Sequence, residues 1–209
     1  TNAISYAFMS YLNNVGDLET TGYYNAGFTI VNRYVGLVFT AIAMEYFPRL
    51  ASAVGSPKRT EVFVSNQIYI ALTVIVPFSL MFITASELAV KLLYSGNFMV
   101  IMPFIVWATL GTVFRAVSWC MAFVILARGD GRTFLLTEIS SGVVSIALNI
   151  VFFNAWGYAG LGYAYILWYG IYTGIVGYVY FRRYRLKIER RIPLYLAYSL
   201  LLPCAGAFT

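Results

Sequence analysis

The sequence holds no histidine, two cysteines and, at 11%, few charged residues among its 209. Without histidine there is no imidazole general base, no histidine zinc ligand and no Ser-His or Cys-His nucleophilic pair in this stretch. Cys120 and Cys204 lie inside apolar runs, where a thiol behaves as a small hydrophobe, so neither reads as a disulfide or a metal ligand. A soluble domain carries about a quarter charged residues; a chain this poor in them could not clothe a water-facing surface, which excludes soluble enzymes and disordered tails. No Gly-rich loop ending in Lys-Ser/Thr occurs, so nothing points to ATP hydrolysis, and neither a cofactor nor a metal is expected. An initiator Met, a charged leader and a small-residue cleavage site are also missing at Thr1, and the closing apolar run from Leu194 is shorter than the ~20 residues of a spanning helix. The expectation is a fragment of a longer chain.

What is abundant is apolar surface: 61% apolar and 18% aromatic residues, with a mean hydropathy of +0.76. The expected class is all-α, a polytopic transmembrane helix bundle. Residues 1–14 read as the end of one helix, and spanning runs follow over about 23–47, 67–85, 98–127, 134–153 and 159–181, with a truncated run over 194–209. Pro77 and Pro103 fall inside two of these runs and are kink candidates.

Lys and Arg mark cytoplasmic loops, and here they alternate. Arg49, Lys58 and Arg59 follow the first span, Arg128 and Arg132 the third, and Arg182, Arg183, Arg185, Lys187, Arg190 and Arg191 the fifth. The intervening loops hold Lys91 alone. One zigzag satisfies every loop, with the first span running from outside to inside. The formal charge of +6 is thus explained by anchoring to anionic membrane lipid, without a nucleic-acid partner.

Two charges lie within spans. Arg33 is about 15 Å into its helix at ~1.5 Å per residue, near the midplane of a ~30 Å hydrocarbon layer, where a charge must face a partner or a wet cavity. Asn25, Thr29, Asn32, Arg33, Gly36 and Thr40 form one polar stripe at i, i+3, i+4 spacing, with Phe28, Val31, Leu37 and Val38 on other faces. The third span repeats this with Gly111, Thr112, Arg115 and Ser118, and the fourth with Glu138, Ser141, Gly142, Ser145 and Asn149. Arg33, Arg115, Asn32 and Asn149 are therefore the candidate substrate contacts. Glu138 and Glu45 are the candidates for proton or ion coupling. The structural alternatives are an ion pair or carbonyl contact for each arginine, pairs of Glu138 with Arg132 and of Glu45 with Arg49, and interhelical hydrogen bonds for Asn149 and the serines. Tyr165, Tyr169 and Tyr172 share one deep face and could touch substrate. Trp156, Tyr158 and Tyr163 suit the outer interface, and Gly170, Gly174 and Gly177 read as helix-packing positions.

Several motifs resemble a known family. Gly22-Tyr23-Tyr24-Asn25-Ala26-Gly27, Glu45-Tyr46-Phe47-Pro48-Arg49-Leu50, the inner loop Leu126-Ala127-Arg128-Gly129-Asp130-Gly131-Arg132 and Trp156-Gly157-Tyr158-Ala159-Gly160-Leu161-Gly162 are similar, in this order and spacing, to the C-terminal half of polysaccharide or O-antigen flippases. These belong to the multidrug/oligosaccharidyl-lipid/polysaccharide exporter superfamily. The resemblance implies one lobe of a two-lobed transporter of twelve to fourteen helices in a bacterial inner membrane. It also implies alternating access and, as cargo, an undecaprenyl-pyrophosphate-linked oligosaccharide, with other polysaccharide-assembly membrane proteins as partners. In the related lipid II flippases a cavity arginine lies on the equivalent eighth helix, which carries a substrate role to Arg33. Two rivals remain. A multidrug exporter would need an acidic cavity, whereas the deepest charges here are arginines. A membrane glycosyltransferase is hinted at by Asp17-Leu18-Glu19, but the outer loops are too short to build its site.

Overall fold

The computed structural model describes residues 2–15, 18–94, 96–189 and 191–207, and among them every regular element is helical. Asp17, Arg190 and the Cys204 side chain lie outside the described residues. Helix α1 (Asn2–Val15) leads into α2 (Leu18–Ala53), which is interrupted by a π-helical segment at Ile30–Tyr34. Helix α3 (Pro57–Leu93) and a 3-10 turn (Gly96–Ile101) precede α4 (Met102–Ala127). The helical run Gly131–Tyr178 breaks at Gly157, giving α5 (residues 131–156) and α6 (residues 158–178). A second π-helical turn (Val179–Arg183) ends α6, and α7 (Ile192–Ala207) closes the described chain.

The helices outrun the apolar stretches that announce them. Helix α3 starts at Pro57 rather than Gln67, because hydropathy marks only the length in hydrocarbon, while the turn Pro57-Lys58-Arg59-Thr60 extends into the interface. Proline presets the first-turn φ there, and Thr60 Oγ1 donates to the carbonyls of Ala53 and Ser56, both at 3.0 Å, tying α2 to α3. Pro103 also sits in the first turn of its helix. It is therefore no kink, since the N–H it lacks would have been unpaired anyway. Pro77 is inside α3, which continues through it.

Gly157 makes the α5–α6 hairpin. Its φ of 60° and ψ of −138° belong to a region essentially restricted to glycine, and the chain reverses there. Three residues on, a Cβ at Gly160 would lie 2.0 Å from the Phe152 carbonyl oxygen, so only glycine lets the two legs approach. Trp168 Nε1 donates to Ser141 Oγ at 2.8 Å, fastening them further down. Helix α4 is the centre of the bundle, with most of its residues buried. It meets α6 at Gly111, whose Cβ would lie 2.7 Å from Tyr165, and at Gly162, whose Cβ would lie 2.5 Å from Trp107. Lipid is as apolar as the core, so close backbone approach and interhelical hydrogen bonds, worth ~0.6 kcal/mol each on average, hold such helices together. The bond from Tyr46 Oη to the Cys120 carbonyl, 2.9 Å, is one of them.

Gly170 and Gly174 do not pack as their spacing suggests: no atom lies within 4 Å of a Cβ built on either. Gly174 and Gly177 instead edge an apolar groove between α4, α6 and α7.

The basic loops gather at one end of the bundle. Lys187 N–H donates to Glu61 Oε1 at 2.8 Å, Glu189 N–H to Ser65 Oγ at 3.3 Å, and Arg183 pairs with Asp130 at 3.0 Å. The opposite end is aromatic: Tyr23 packs edge-on against Phe98 and Tyr158, and Trp156 is exposed. Among the described residues four helical runs are long and apolar enough to cross a membrane, Leu18–Ala53, Pro57–Leu92, Gly96–Ala127 and Gly131–Arg183. The last of these folds back at Gly157. The chain is a multi-pass membrane protein.

Candidate functional site

The π-helical segment of α2 carries both Asn32 and Arg33. Such segments insert an extra residue into the helical repeat and frequently occur at functional sites. The extra residue also offsets the stripe drawn on an ideal helix. Phe28 and Leu37, placed on other faces by straight-helix spacing, here border the same cavities as Arg33, while Val31 stays in the core. Asn32 Nδ2 donates to the Phe28 carbonyl at 3.2 Å, and its Oδ1 is turned towards α4.

Arg115 of α4 meets it there. Its Nη1 donates to Asn32 Oδ1 at 3.0 Å and to Tyr165 Oη at 3.2 Å, and Tyr165 Oη lies 3.4 Å from the same Asn32 oxygen. The guanidinium carbon lies 5.0 Å from the centre of the Phe39 ring and 5.7 Å from that of Tyr169, within cation–π range. The side chain is thus held from two neighbouring helices, α2 and α6. Its other N–H groups make no bond to a described residue, and Arg115 borders three cavities of about 560, 310 and 170 Å³ that meet around it.

Arg33 borders the largest and the smallest of these cavities, is exposed, and has no hydrogen bond or ion pair with a described residue. The structure therefore brings Arg33, Arg115 and Asn32 together, with two guanidinium groups facing a shared space. Glu138 borders the third cavity with Arg115, and its carboxylate accepts from Tyr172 Oη, 2.5 Å, instead of pairing with Arg132. Asn149 borders none of the three and bonds within α5, with Nδ2 3.5 Å from Ser145 Oγ. Glu45 pairs with Arg49 at 2.6 Å in a separate groove between α2 and α3, with both side chains largely exposed.

Sequence reasoning missed the aromatic walls. Trp119 lies four residues after Arg115, and Phe39 seven after Asn32, so both sit at helical spacing from a chosen residue, and both border the 560 Å³ cavity. Polarity was the filter, and it discarded them. Tyr165, Tyr169 and Tyr172 do share the Arg115 face, but buried: Tyr165 and Tyr169 brace the guanidinium, and Tyr172 holds Glu138.

A basic, aromatic-walled basin halfway along a membrane-spanning bundle can hold an anionic group without any covalent step. No curated protein and no solved structure matches the chain. A model of the family described as lipid II flippase MurJ matches residues 2–208, nearly the whole sequence, so the likeness to lipid-linked flippases holds while its narrower form, the O-antigen flippases, is not what the match returns. The chain belongs to the lipid II flippase MurJ family, whose members are transporters and not enzymes.

Proposed function

We propose that this chain forms the C-terminal lobe of a two-lobed flippase that moves a polyprenyl-pyrophosphate-linked glycan across a bacterial inner membrane, with lipid II as the cargo that the family's name supports. The basic end faces the cytoplasm, as the distribution of Lys and Arg favours. Arg33 and Arg115 grip the pyrophosphate, because a guanidinium offers paired donors matched to phosphate oxygens. The observation that carries this reading is the meeting of three cavities at a braced Arg115 beside Arg33, which has no partner among the described residues. The two arginines outnumber Glu138 in the basin, which disfavours an organic-cation cargo. Alternating access would rock this lobe against its counterpart around the basin.

The test replaces the full-length gene in its host with Arg33→Ala or Arg33→Lys and follows lipid II and O-antigen intermediates in each leaflet. Normal expression with lipid II trapped in the cytoplasmic leaflet of Arg33→Ala supports the reading. Trapping of an O-antigen intermediate instead would move the cargo to surface polysaccharide. Wild-type distribution of both in Arg33→Ala would remove Arg33 from the site.

A further inference from the structure

Glu138 is the only carboxylate among the described residues that border the 310 Å³ cavity, and it shares that cavity with Arg115 without forming an ion pair. The groups that face it come from three helices. Helix α4 contributes Arg115 and Ser118, α6 contributes Tyr169 and Tyr172, and α1 contributes only Ile4. On its own helix the nearest charge is Arg132, exposed at the basic end. Glu138 stands seven residues into α5, ~10 Å from that end at 1.5 Å per residue, so water at the basic face is about two turns away. Arg115 is therefore the positive charge that shares this cavity with Glu138.

We propose that Glu138 takes up a proton when a pyrophosphate-bearing lipid binds at Arg115, so that anionic cargo and proton bind cooperatively. This deepens, and rests on, the reading of the basin as a pyrophosphate site. A bound anion neutralises the Arg115 charge and adds negative charge of its own, and a carboxylate beside it gains proton affinity. Coupling between binding sites is reciprocal, so a protonated Glu138 strengthens cargo binding by the same factor. A buffer acid or hydronium ion at the basic face gives up the proton, so its bond to hydrogen breaks as the carboxylic O–H of Glu138 forms, and the conjugate base stays in solution. Tyr172 Oη continues to donate to the other oxygen. A lone carboxylate in a membrane-embedded cavity is expensive to keep without such a role.

The test uses the full-length protein in nanodiscs with farnesyl-pyrophosphoryl-N-acetylglucosamine, whose pyrophosphate diester exchanges no proton near neutral pH. Calorimetry in buffers of different ionisation enthalpy, from pH 5.5 to 8, counts the protons taken up per probe bound. The wild type is expected to take up as much as one proton, with Kd weakening by up to about tenfold per pH unit where uptake is greatest. Glu138→Gln still accepts the Tyr172 hydrogen; it is expected to bind with pH-independent affinity and no uptake. Tyr172→Phe, which keeps the carboxylate, retains the uptake. Uptake that persists in Glu138→Gln, or binding without uptake in the wild type, would overturn the proposal and leave the pyrophosphate site standing. Absence of binding by the wild type at every pH would overturn both.

Discussion

Arg115 Nη1 and Asn32 Oδ1 sit 3.0 Å apart although 83 residues separate them in sequence, and that bond joins the π-helical segment of α2 to the central helix α4. The amide oxygen positions a charge without neutralising it. Asn32→Asp therefore separates structure from function. The near-isosteric carboxylate preserves the contact as an ion pair, so thermal stability of the full-length protein is expected to hold within a few degrees. Binding of a pyrophosphate lipid is expected to fall at least tenfold, because Arg115 then has a resident counter-ion. Asn32→Ala removes a hydrogen bond to a charged group, worth ~1.5–3 kcal/mol, and is expected to lower both. Wild-type affinity in Asn32→Asp would mean that Arg115 only braces the bundle.

The glycines supply a second contrast. Gly160→Ala places a Cβ 2.0 Å from the Phe152 carbonyl oxygen, and backbone on both sides leaves nothing flexible to yield; overpacking of this kind destabilises by about 1–3 kcal/mol or more. Gly157→Ala forces a side chain into a glycine-only conformation at a similar ~1–3 kcal/mol. At Gly174 a Cβ meets nothing within 4 Å, so Gly174→Ala should be neutral or stabilising by up to ~1 kcal/mol through helix propensity. Unfolding midpoints in detergent check the order. A Gly174→Ala loss equal to that of Gly160→Ala would restore the packing role that its spacing suggests.

These glycines also explain what was legible in the sequence. The all-helical, membrane-spanning class was readable because hydropathy reports the membrane directly. Helix ends were not, since turns such as Pro57-Lys58-Arg59-Thr60 leave the hydrocarbon without leaving the helix. Two of the motifs that resemble O-antigen flippases are structural: Gly157, Gly160 and Gly162 build the hairpin and its contact with α4, and Gly129-Asp130 turns the chain between α4 and α5. Such residues mark a fold shared by transporters of different cargo, so they pointed to lipid-linked flippases but could not single out the MurJ family. The Arg115–Asn32–Tyr165 cluster joins three helices far apart in sequence, and no spacing rule reaches across them. The π-helical segment has no proline or glycine to announce it.

Asp130 gives a pH dependence with a definite sign. Its carboxylate caps α5 by accepting the Thr133 N–H at 3.3 Å, accepts from Tyr184 Oη at 2.9 Å and pairs with Arg183. The hydrogen bond to Thr133 first, then those from Tyr184 and the Arg183 charge, hold this carboxyl below the ordinary aspartate range. Burial and the bond to Asp130 push the Tyr184 phenol up to about 12. A depressed carboxyl pKa stabilises the fold fully above the unfolded value, ~3.9, and that contribution is lost as pH falls through the lower folded value. The unfolding midpoint of the wild type should therefore drop in the acid range below about pH 4. Asn also caps helices, so Asp130→Asn should unfold with a flatter acid limb while keeping α5 intact. An acid limb as steep as the wild type's would assign the pH response to another group.

Glu45 is the control for Glu138. Its partner Arg49 lies 2.6 Å away, but the two side chains are 70% and 64% exposed, and exposed i,i+4 pairs contribute only ~0.3–0.5 kcal/mol and less as salt screens them. They also border a groove between α2 and α3 that shares no residue with the cavities around Arg115. Glu45→Gln is therefore expected to transport lipid within twofold of the wild type in proteoliposomes, at both 0.1 and 1 M salt, and to leave its pH profile unchanged. Glu138→Gln, measured alongside, should lose the pH dependence of cargo binding. If Glu45→Gln flattened that profile as well, the coupling would run through the α2–α3 groove, and the carboxylate beside Arg115 would be its bystander.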